Sequence, residues 1–409
     1  MSDDALDVTW RRERARLVAT LAARLGDLDL AEDAVQDAIV AALRRWPLDG
    51  VPQNPGAWLN TAAWRRALDL RRRARPTVEW SEVPDTRLAT VTADAAEPNA
   101  AMIDDDVLRL MFACCDPELP PDTRLALTLR HVAGLSTRQI AAALLVQESA
   151  VEKRLVRARA RLRSRGIDTE LPPAASLPAR LADVHAVIYV LFTEGYLAAG
   201  DDAARRDALC DDAVWLASQV VRAIPDDAES LGLLALLTLQ HSRRAARSNP
   251  EGALVTFAEQ SRAEWDADAI VQARTWLARA PRERPGPYQL EAAIALLHAT
   301  APAPDALPWP HIAALYDLRL AIDGSPVVAV NRAVAIGRAR GASHGLAALG
   351  PALDDRRMRD YVPLHVAHAD LLEQCGAVDA ARRAWDRAAA VASNPGARRE
   401  IARRRALLG

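Results

Sequence analysis

Between Lys153 and Arg165 the chain carries seven cations and no acid, on a stretch whose apolar residues recur every third or fourth position. On a helix turning about 100° per residue, Val151, Leu155, Ala158 and Leu162 fall in one narrow stripe. Ser149, Lys153, Val156, Arg157 and Ala160 fall opposite, with Glu152 and Arg163 at the margin. The stripe must face a core, and the opposite side is basic. Arginine-rich helices also occur as plain solvated surface, so the flanking sequence has to decide between that reading and an anionic partner.

The flanks are informative. Helices are expected over 104–115, 122–133 and 137–145 ahead of the one at 148–165. Gly134 marks the end of the second, and Ser136 with Gln139 three residues on forms a capping box for the third. A tight turn around Leu145-Val146-Gln147 then leads into the basic helix. A short helix, a tight turn and a second helix with a cationic face is a helix-turn-helix, whose second helix fits the DNA major groove.

The N-terminal stretch repeats the theme. One helix runs from about Trp10 to Leu25 and is broken by Gly26-Asp27. A second opens at Asp29 or Leu30, carries the stripe Ala34, Val35, Ala38, Ile39, Ala42 and Leu43, and is expected to end at Pro47. Pro52 to Pro55 forms a loop, and Asn54 caps a third helix with Pro55 in its first turn. Leu59, Ala63, Ala67 and Leu70 form its buried stripe. Trp58, Trp64 and six arginines up to Arg75 lie off it. Aromatics beside arginines suit an opened nucleic-acid strand, since rings stack on bases while guanidinium groups hold phosphates. The plainer alternative is core tryptophans beside a solvated arginine run. From Ser81 to Asp106 there are seven acids and one arginine, interrupted by prolines, which reads as an acidic linker.

Composition narrows the class. Aromatic residues make up 4% of the 409, and Ala, Leu and Arg dominate, a palette that favours helix over sheet and points to an all-α protein. Net charge is −2, so any nucleic-acid site is a local concentration of cations. Cys114, Cys115, Cys210 and Cys375 show no zinc or disulfide spacing; the adjacent pair sits in an apolar run and reads as buried thiols rather than redox or metal chemistry. His365 and His368 lie one turn apart with no evident third ligand, so neither metal nor cofactor is expected. There is no signal-peptide pattern and no apolar stretch of about 18 residues. A cytoplasmic protein with no membrane contact is expected. No glycine-rich phosphate loop or nucleophile with a positioned base is present, so the chain does not read as an enzyme.

Beyond Pro172-Pro173 and Pro178 the remaining stretch is expected to be wholly helical, broken at Gly200, Pro225, Pro250, Pro281 to Pro287, Pro302 to Pro310, Pro326, Pro351 and Pro395. The segment Leu364–Ala392, with Ala369, Leu372, Gly376, Ala381, Trp385 and Ala388, resembles the tetratricopeptide pattern of small and large residues. A weaker copy lies about 36 residues earlier, with Ala329, Ala333, Ile336, Gly341 and Leu349.

Three motifs in order resemble a known family. Ala31-Glu32-Asp33-Ala34-Val35-Gln36-Asp37-Ala38 through Arg44-Arg45-Trp46 is similar to region 2.2 of sigma-70-type sigma factors of the extracytoplasmic-function group. Asn54-Pro55-Gly56-Ala57-Trp58-Leu59 through Arg65-Arg66-Ala67-Leu68-Asp69 and Arg71-Arg72 is similar to regions 2.3 and 2.4. Leu135 to Ala141 and Ala150 to Arg159 are similar to region 4.2. Trp64-Arg65 stands where the family usually has Asn-Arg, and Glu152 where a cation is frequent.

The resemblance implies a sigma factor that binds core RNA polymerase and promoter DNA. It implies region 2 over 1–75, an acidic linker over 76–103 and region 4 over 104–168. Asp33, Gln36, Asp37 and Trp46 would bind polymerase. Trp58, Asn60, Thr61, Trp64, Arg65, Arg66, Arg72 and Arg73 would bind the −10 element. At the −35 element, Lys153 and Arg157, with Ser149 and Glu152, would touch base edges, Arg154, Arg159 and Arg161 would hold phosphates, and Val156 would belong to the same DNA-binding face. A subgroup of the family carries a C-terminal tetratricopeptide-like domain, expected here over 175–409. Its recurring motifs look like Leu191–Tyr196, Arg243–Arg247, Arg284–Gln289 and Asn331–Ala335. Arg243, Arg244 and Arg247 read as a site for acidic partners or as a solvated face, Gln289 as a helix cap, and Glu194 as an N-cap or packing residue. The expected role of this tail is regulation in cis through contact with the sigma domains. The rival reading is a helix-turn-helix regulator with a ligand- or partner-sensing tail. A repeat scaffold without a DNA role leaves the two basic helices unexplained.

Overall fold

The computed structural model describes residues 3–74, 100–144, 146–165, 176–197, 203–247, 255–257, 259–281, 283–392 and 395–408. Every regular element among them is helical. Most of the acidic linker expected over 76–103 lies outside the described residues. Two compact units result: one from 1–194 with 211–223, the other from 195–210 with 224–409.

Among the described residues the first unit is built from nine helices or parts of them. They are α1 (Asp3–Leu25), α2 (Leu28–Asp49), α3 (Pro55–Ala74), α4 (Ala100–Cys114), α5 (Pro121–His131), α6 (Thr137–Ala143), α7 (Glu148–Arg165), most of α8 (Leu177–Leu197) and the second half of α9 (Ala203–Ala223). Local chemistry sets the boundaries. Gly26 has φ +69°, and Asp27 caps α2 by accepting from the Leu30 N–H at 3.1 Å. Asn54 caps α3 through the Ala57 N–H at 3.0 Å. Ser136 and Gln139 make the expected capping box, with the Ser136 N–H donating to Gln139 Oε1 at 2.9 Å and the Gln139 N–H to Ser136 Oγ at 3.3 Å. The predicted α7 stripe of Val151, Leu155, Ala158 and Leu162 is buried, as are Leu59, Ala63 and Ala67 on α3, where Leu70 is only half-buried.

Three expectations fail. Pro47 does not end α2, which continues to Asp49 and stops where Gly50 takes φ +83°. The ring costs one backbone hydrogen bond in the final turn, where the helix has little left to lose. Leu43, read as part of the α2 stripe, is 70% exposed, because the α2 core ends at Ala42 and the last turns project past it. α4 begins at Ala100, not 104.

One core joins the two sequence modules of this unit. α1 packs against α2, α3 and α4, and places Leu17, Val18 and Leu21 in the interior together with Leu108, Met111 and Phe112 of α4. Cys114 and Cys115 are buried as expected, and burial lifts the Cys115 thiol to about 12. α8 and the second half of α9 belong to this unit: Asp183 forms an ion pair with Arg124 of α5, Arg180 donates to the Phe112 carbonyl at 3.0 Å, and Arg16 lies over the Trp215 ring at 5.3 Å.

The second unit comprises α10 (Ala228–His241), α11 (Ala267–Arg279), α12 (Pro287–Thr300), α13 (Trp309–Asp323), α14 (Pro326–Arg340), α15 (Ala342–Asp354), α16 (Val362–Gln374), α17 (Val378–Val391) and α18 (Pro395–Ala406), with the junction of α8 and α9. α10 is buried from Ser230 to Leu239 on every side and is its central helix. Short connections join α14 to α15 and α16 to α17, with Gly341 at φ +104° and Gly376 at φ +76°. The α14–α15 crossing is too close for side chains: a Cβ on Gly345 would lie 2.8 Å from the Gly337 Cα. Ala369, Ala381, Trp385 and Ala388, named from the sequence pattern, are all buried between α16 and α17. Pro351, read as a break, lies inside α15. Glu194 lies near the end of α8, so it is no N-cap. Gln289 does cap α12, its Oε1 accepting from the Gly286 N–H at 3.2 Å.

Candidate nucleic-acid interface

The α7 face divides into two rows. Ser149, Glu152, Lys153, Val156 and Arg157 are exposed, with Val156 at 62%. This row carries the residues expected to touch base edges. The row expected to hold phosphates is already engaged with carboxylates: Arg154 pairs with Asp122 at 3.1 Å, Arg161 with Glu118, and Arg159 Nε lies 3.3 Å from Asp29 Oδ1. The first two acids belong to the same helical module. The third sits at the start of α2, in the other module, so α7 is tied to the helix expected to bind polymerase.

A second tie lies beneath it. Glu32 of α2 accepts from Arg14 of α1 at 2.5 Å, and His131 Nδ1 of α5 approaches the same oxygen to 3.2 Å. The second contact has ion-pair distance without an aligned hydrogen bond. His131 is fully buried and Glu32 is 11% exposed. Burial by itself would raise the Glu32 carboxyl; His131 and Arg14 more than offset this and hold it at about 2. Burial also pushes the His131 imidazole below its ordinary value. The buried imidazole and the Arg14 guanidinium together favour the ionised Glu32. Sequence reading named neither Arg14 nor His131, and placed Glu32 only as part of a motif.

α2 presents Asp29, Asp33 and Asp37 one turn apart on one face. Partial desolvation by its neighbours raises the Asp33 carboxyl, as do Asp29, Glu32 and Asp37, with Arg159 opposing. Asp33 and Gln36 are exposed. Asp37 accepts from Arg66 of α3 at 2.5 Å. The two aromatic residues expected to stack on a DNA strand are engaged within the protein: Trp58 packs edge-on against Trp46, with centroids 5.7 Å apart, and Trp64 faces Arg24 at 6.0 Å. Thr61, Arg65, Arg72 and Arg73 are exposed, while Asn60 is half-buried. Beside this surface lie Val40, Leu43, Leu48 and Val51, exposed by 43%, 70%, 84% and 47%. Such apolar exposure at the end of α2 fits a protein-binding surface.

In the second unit, Arg243 and Arg247 are neither a solvated face nor a free basic patch. The Arg247 guanidinium covers the Tyr196 ring at 3.4 Å and donates to the Tyr196 carbonyl at 2.6 Å, and Arg243 donates to the Tyr196 hydroxyl. Two motifs 47 residues apart thus meet. His365, weighed as a metal ligand, contacts the Arg359 carbonyl at 2.7 Å, and no cluster of potential metal ligands occurs among the described residues. No helix among them is long and apolar enough to cross a membrane.

Comparison with known proteins follows the same division of the chain. Residues 9–77 match the family described as Sigma-70 region 2, and residues 109–162 match Sigma-70, region 4. Residues 180–281 match the Family of unknown function (DUF6596). Uncharacterized protein R00370 of Rhizobium meliloti (strain 1021) is 40% identical over 396 residues, covering 95% of this chain and 92% of that protein. Probable ECF RNA polymerase sigma factor SigI of Mycobacterium tuberculosis, strains CDC 1551 / Oshkosh and H37Rv, is 28% identical over 176 residues, covering 42% of this chain and 59% of that protein. No solved structure matches the chain at a significant level.

Proposed function

Because the chain belongs to the sigma-70-type sigma factors of the extracytoplasmic-function group, with a DUF6596 domain in its C-terminal part, we propose that it directs polymerase to a specific class of promoters and that its tail restrains it in cis. In this reading residues 1–75 form region 2, 104–168 region 4 and 175–409 a tetratricopeptide-like regulatory domain. Asp33, Gln36, Asp37 and Trp46, extended by the exposed Leu43 and Leu48, dock on core polymerase. The α3 row from Trp58 to Arg73 takes the −10 strand, and α7 enters the −35 major groove with Lys153 and Arg157 toward the bases.

The observation that carries the restraint is the Arg159–Asp29 approach of 3.3 Å. One cation meant for DNA and one carboxylate of the polymerase-binding face neutralise each other. The Glu32–His131 contact beneath it holds the same two helical modules together. Reading two separate promoter elements requires the modules to part, which breaks both contacts. The Arg124–Asp183 pair and the Arg180 bond to Phe112 support a role for the tail, since they add α8 to the same closed body.

The test is co-elution of the purified full-length protein with core polymerase lacking any other sigma factor, followed by promoter-dependent transcription. A stable complex is expected. Removing residues 175–409 is expected to raise transcription strongly. A full-length protein that forms no complex, together with a truncated one that forms none, would favour the ligand-sensing regulator. Equal transcription from both forms would end the restraint reading while leaving the sigma assignment intact.

A further inference from the structure

The second unit contains a cavity of about 220 Å³ between α10, α12, α13 and the stretch 255–265. Arg243 lines it, and Arg262 lies behind its wall, stacked on the Trp265 ring. Arg243 donates to Gln240 Oε1 at 2.9 Å, Gln260 Oε1 at 3.2 Å and the Tyr196 hydroxyl, all neutral acceptors. Arg262 donates to the His298 carbonyl at 3.1 Å, and its Nη2 is buried with no hydrogen-bond partner. Among the described residues the carboxylate lining the cavity is Glu291, and Glu291 is paired with Arg319 at 3.3 Å. The cavity therefore keeps an uncompensated positive potential.

Its walls are aromatic. Phe257 meets Trp265 at 5.5 Å between centroids and His298 edge-on at 5.2 Å, while Arg262 stacks over Trp265 at 4.7 Å. Trp265 is 7% exposed, and its Nε1 is a buried donor with no partner; His298 Nδ1 is unpartnered as well. Burial, with Arg243 and Arg262 nearby, pushes the His298 imidazole down to about 4, so the ring is neutral and adds no third cation. Arginine and tryptophan side chains only donate, and each buried donor left unmade costs about 1–3 kcal/mol. Arg243, whose acceptors are all neutral, is the cation that lines the cavity, and it favours an occupant that brings negative charge.

We propose that this cavity binds a small aromatic carboxylate. The ring lies against the wall of Phe257, Trp265 and His298, and the carboxylate accepts from Arg243, the guanidinium that lines the cavity. A cavity of about 150 Å³ accommodates benzene, so the present one suits a single ring bearing a carboxylate, on the order of ten non-hydrogen atoms. This site is separate from the polymerase- and DNA-binding surfaces, and its occupancy does not rest on the sigma reading.

Calorimetric titration of the full-length protein with benzoate, benzamide and inorganic phosphate tests it. Benzoate is expected to bind at millimolar concentration or below, at least about tenfold tighter than either other probe. Arg243→Gln is expected to weaken benzoate about tenfold or more, and Trp265→Phe, which keeps a ring on the wall, to weaken it less. The comparison of benzoate with benzamide needs no variant and stands even where a variant folds poorly. Equal binding of benzoate and benzamide would remove the anion recognition. Tighter binding of phosphate would remove the aromatic half and favour an acidic group presented by another molecule. Benzoate affinity unchanged in a folded Arg243→Gln protein, or no benzoate binding at all, overturns the proposal.

Discussion

Glu32 shows how one carboxylate can decide the behaviour of a module boundary. It reaches back to Arg14 of its own module and across to His131 of the next. Replacing it by Leu leaves the Arg14 guanidinium, 14% exposed, without its counter-charge. The expected cost is roughly 2–3 kcal/mol in urea unfolding, toward the low end for a pair that is not wholly dry. Arg14→Met added to Glu32→Leu is expected to recover much of that loss, because the cost lies in the abandoned charge and not in the missing pair. Acid acts on the same cluster. Both Glu32 and His131 titrate lower in the folded protein than in the unfolded chain, so the unfolded chain binds more protons and stability falls with pH. The His131 loss begins as pH drops below about 6.5, and the Glu32 loss runs from about 4.5 toward 2. Urea midpoints measured from pH 7 to pH 3 are expected to decline in two stages, and Glu32→Gln is expected to lose the second.

At the scale of elements, the sequence carried whatever a single helix or loop decides for itself. Periodicity named Val151, Leu155, Ala158 and Leu162 because a helix on a core must bury one face, and it does so whatever the core is. Asn54, Ser136 and Gln139 were legible because caps act within three residues. Leu43 was misread because periodicity records which face is apolar and not how far the neighbouring core extends. Glu32 with His131, and Tyr196 with Arg243, escaped notice since their separations in sequence follow from tertiary packing alone. The candidate site was legible in the same partial way: the pattern supplied the exposed row of α7 and the family resemblance the second row, but neither gave the acids that pair with that second row. The two rows predict different phenotypes. Lys153→Ala and Arg157→Ala are expected to cost about 1–3 kcal/mol on the preferred −35 sequence and to flatten discrimination among sequences. Arg154→Ala and Arg161→Ala are expected to weaken binding evenly across sequences and to lower the salt slope by about 1 each. Fluorescence anisotropy against matched and mismatched duplexes over a salt series separates the two. Arg154 and Arg161 must leave Asp122 and Glu118 to reach phosphate, so their effects are expected to be the smaller.

For the whole chain, the proposed restraint would turn polymerase binding into a competition between the closed and open first unit. A sigma factor that spends most of its time with α7 tied to α2 shows an apparent affinity reduced by the fraction of time it is open. The ties are individually modest, and none needs to be strong for the population to respond. A part-buried pair such as Arg124–Asp183, with side chains 15% and 27% exposed, is worth about 1 kcal/mol, which changes the open fraction about fivefold when the closed form dominates. Asp183→Arg puts two guanidinium groups face to face and is expected to tighten binding to core polymerase by about fivefold or more. Arg124→Asp is expected to do the same, provided Arg124 loses no more than its bonds to the Leu119 and Pro117 carbonyls. Combining the two restores an ion pair in reverse, and affinity is expected to return toward that of the parent protein. Surface plasmon resonance on immobilised core polymerase reads all four forms. Return in the double variant assigns the restraint to this contact. Failure to return, with both single variants tighter, assigns it to local loosening of α5. Single variants that bind as the parent does would show that α8 takes no part in holding the sigma modules closed.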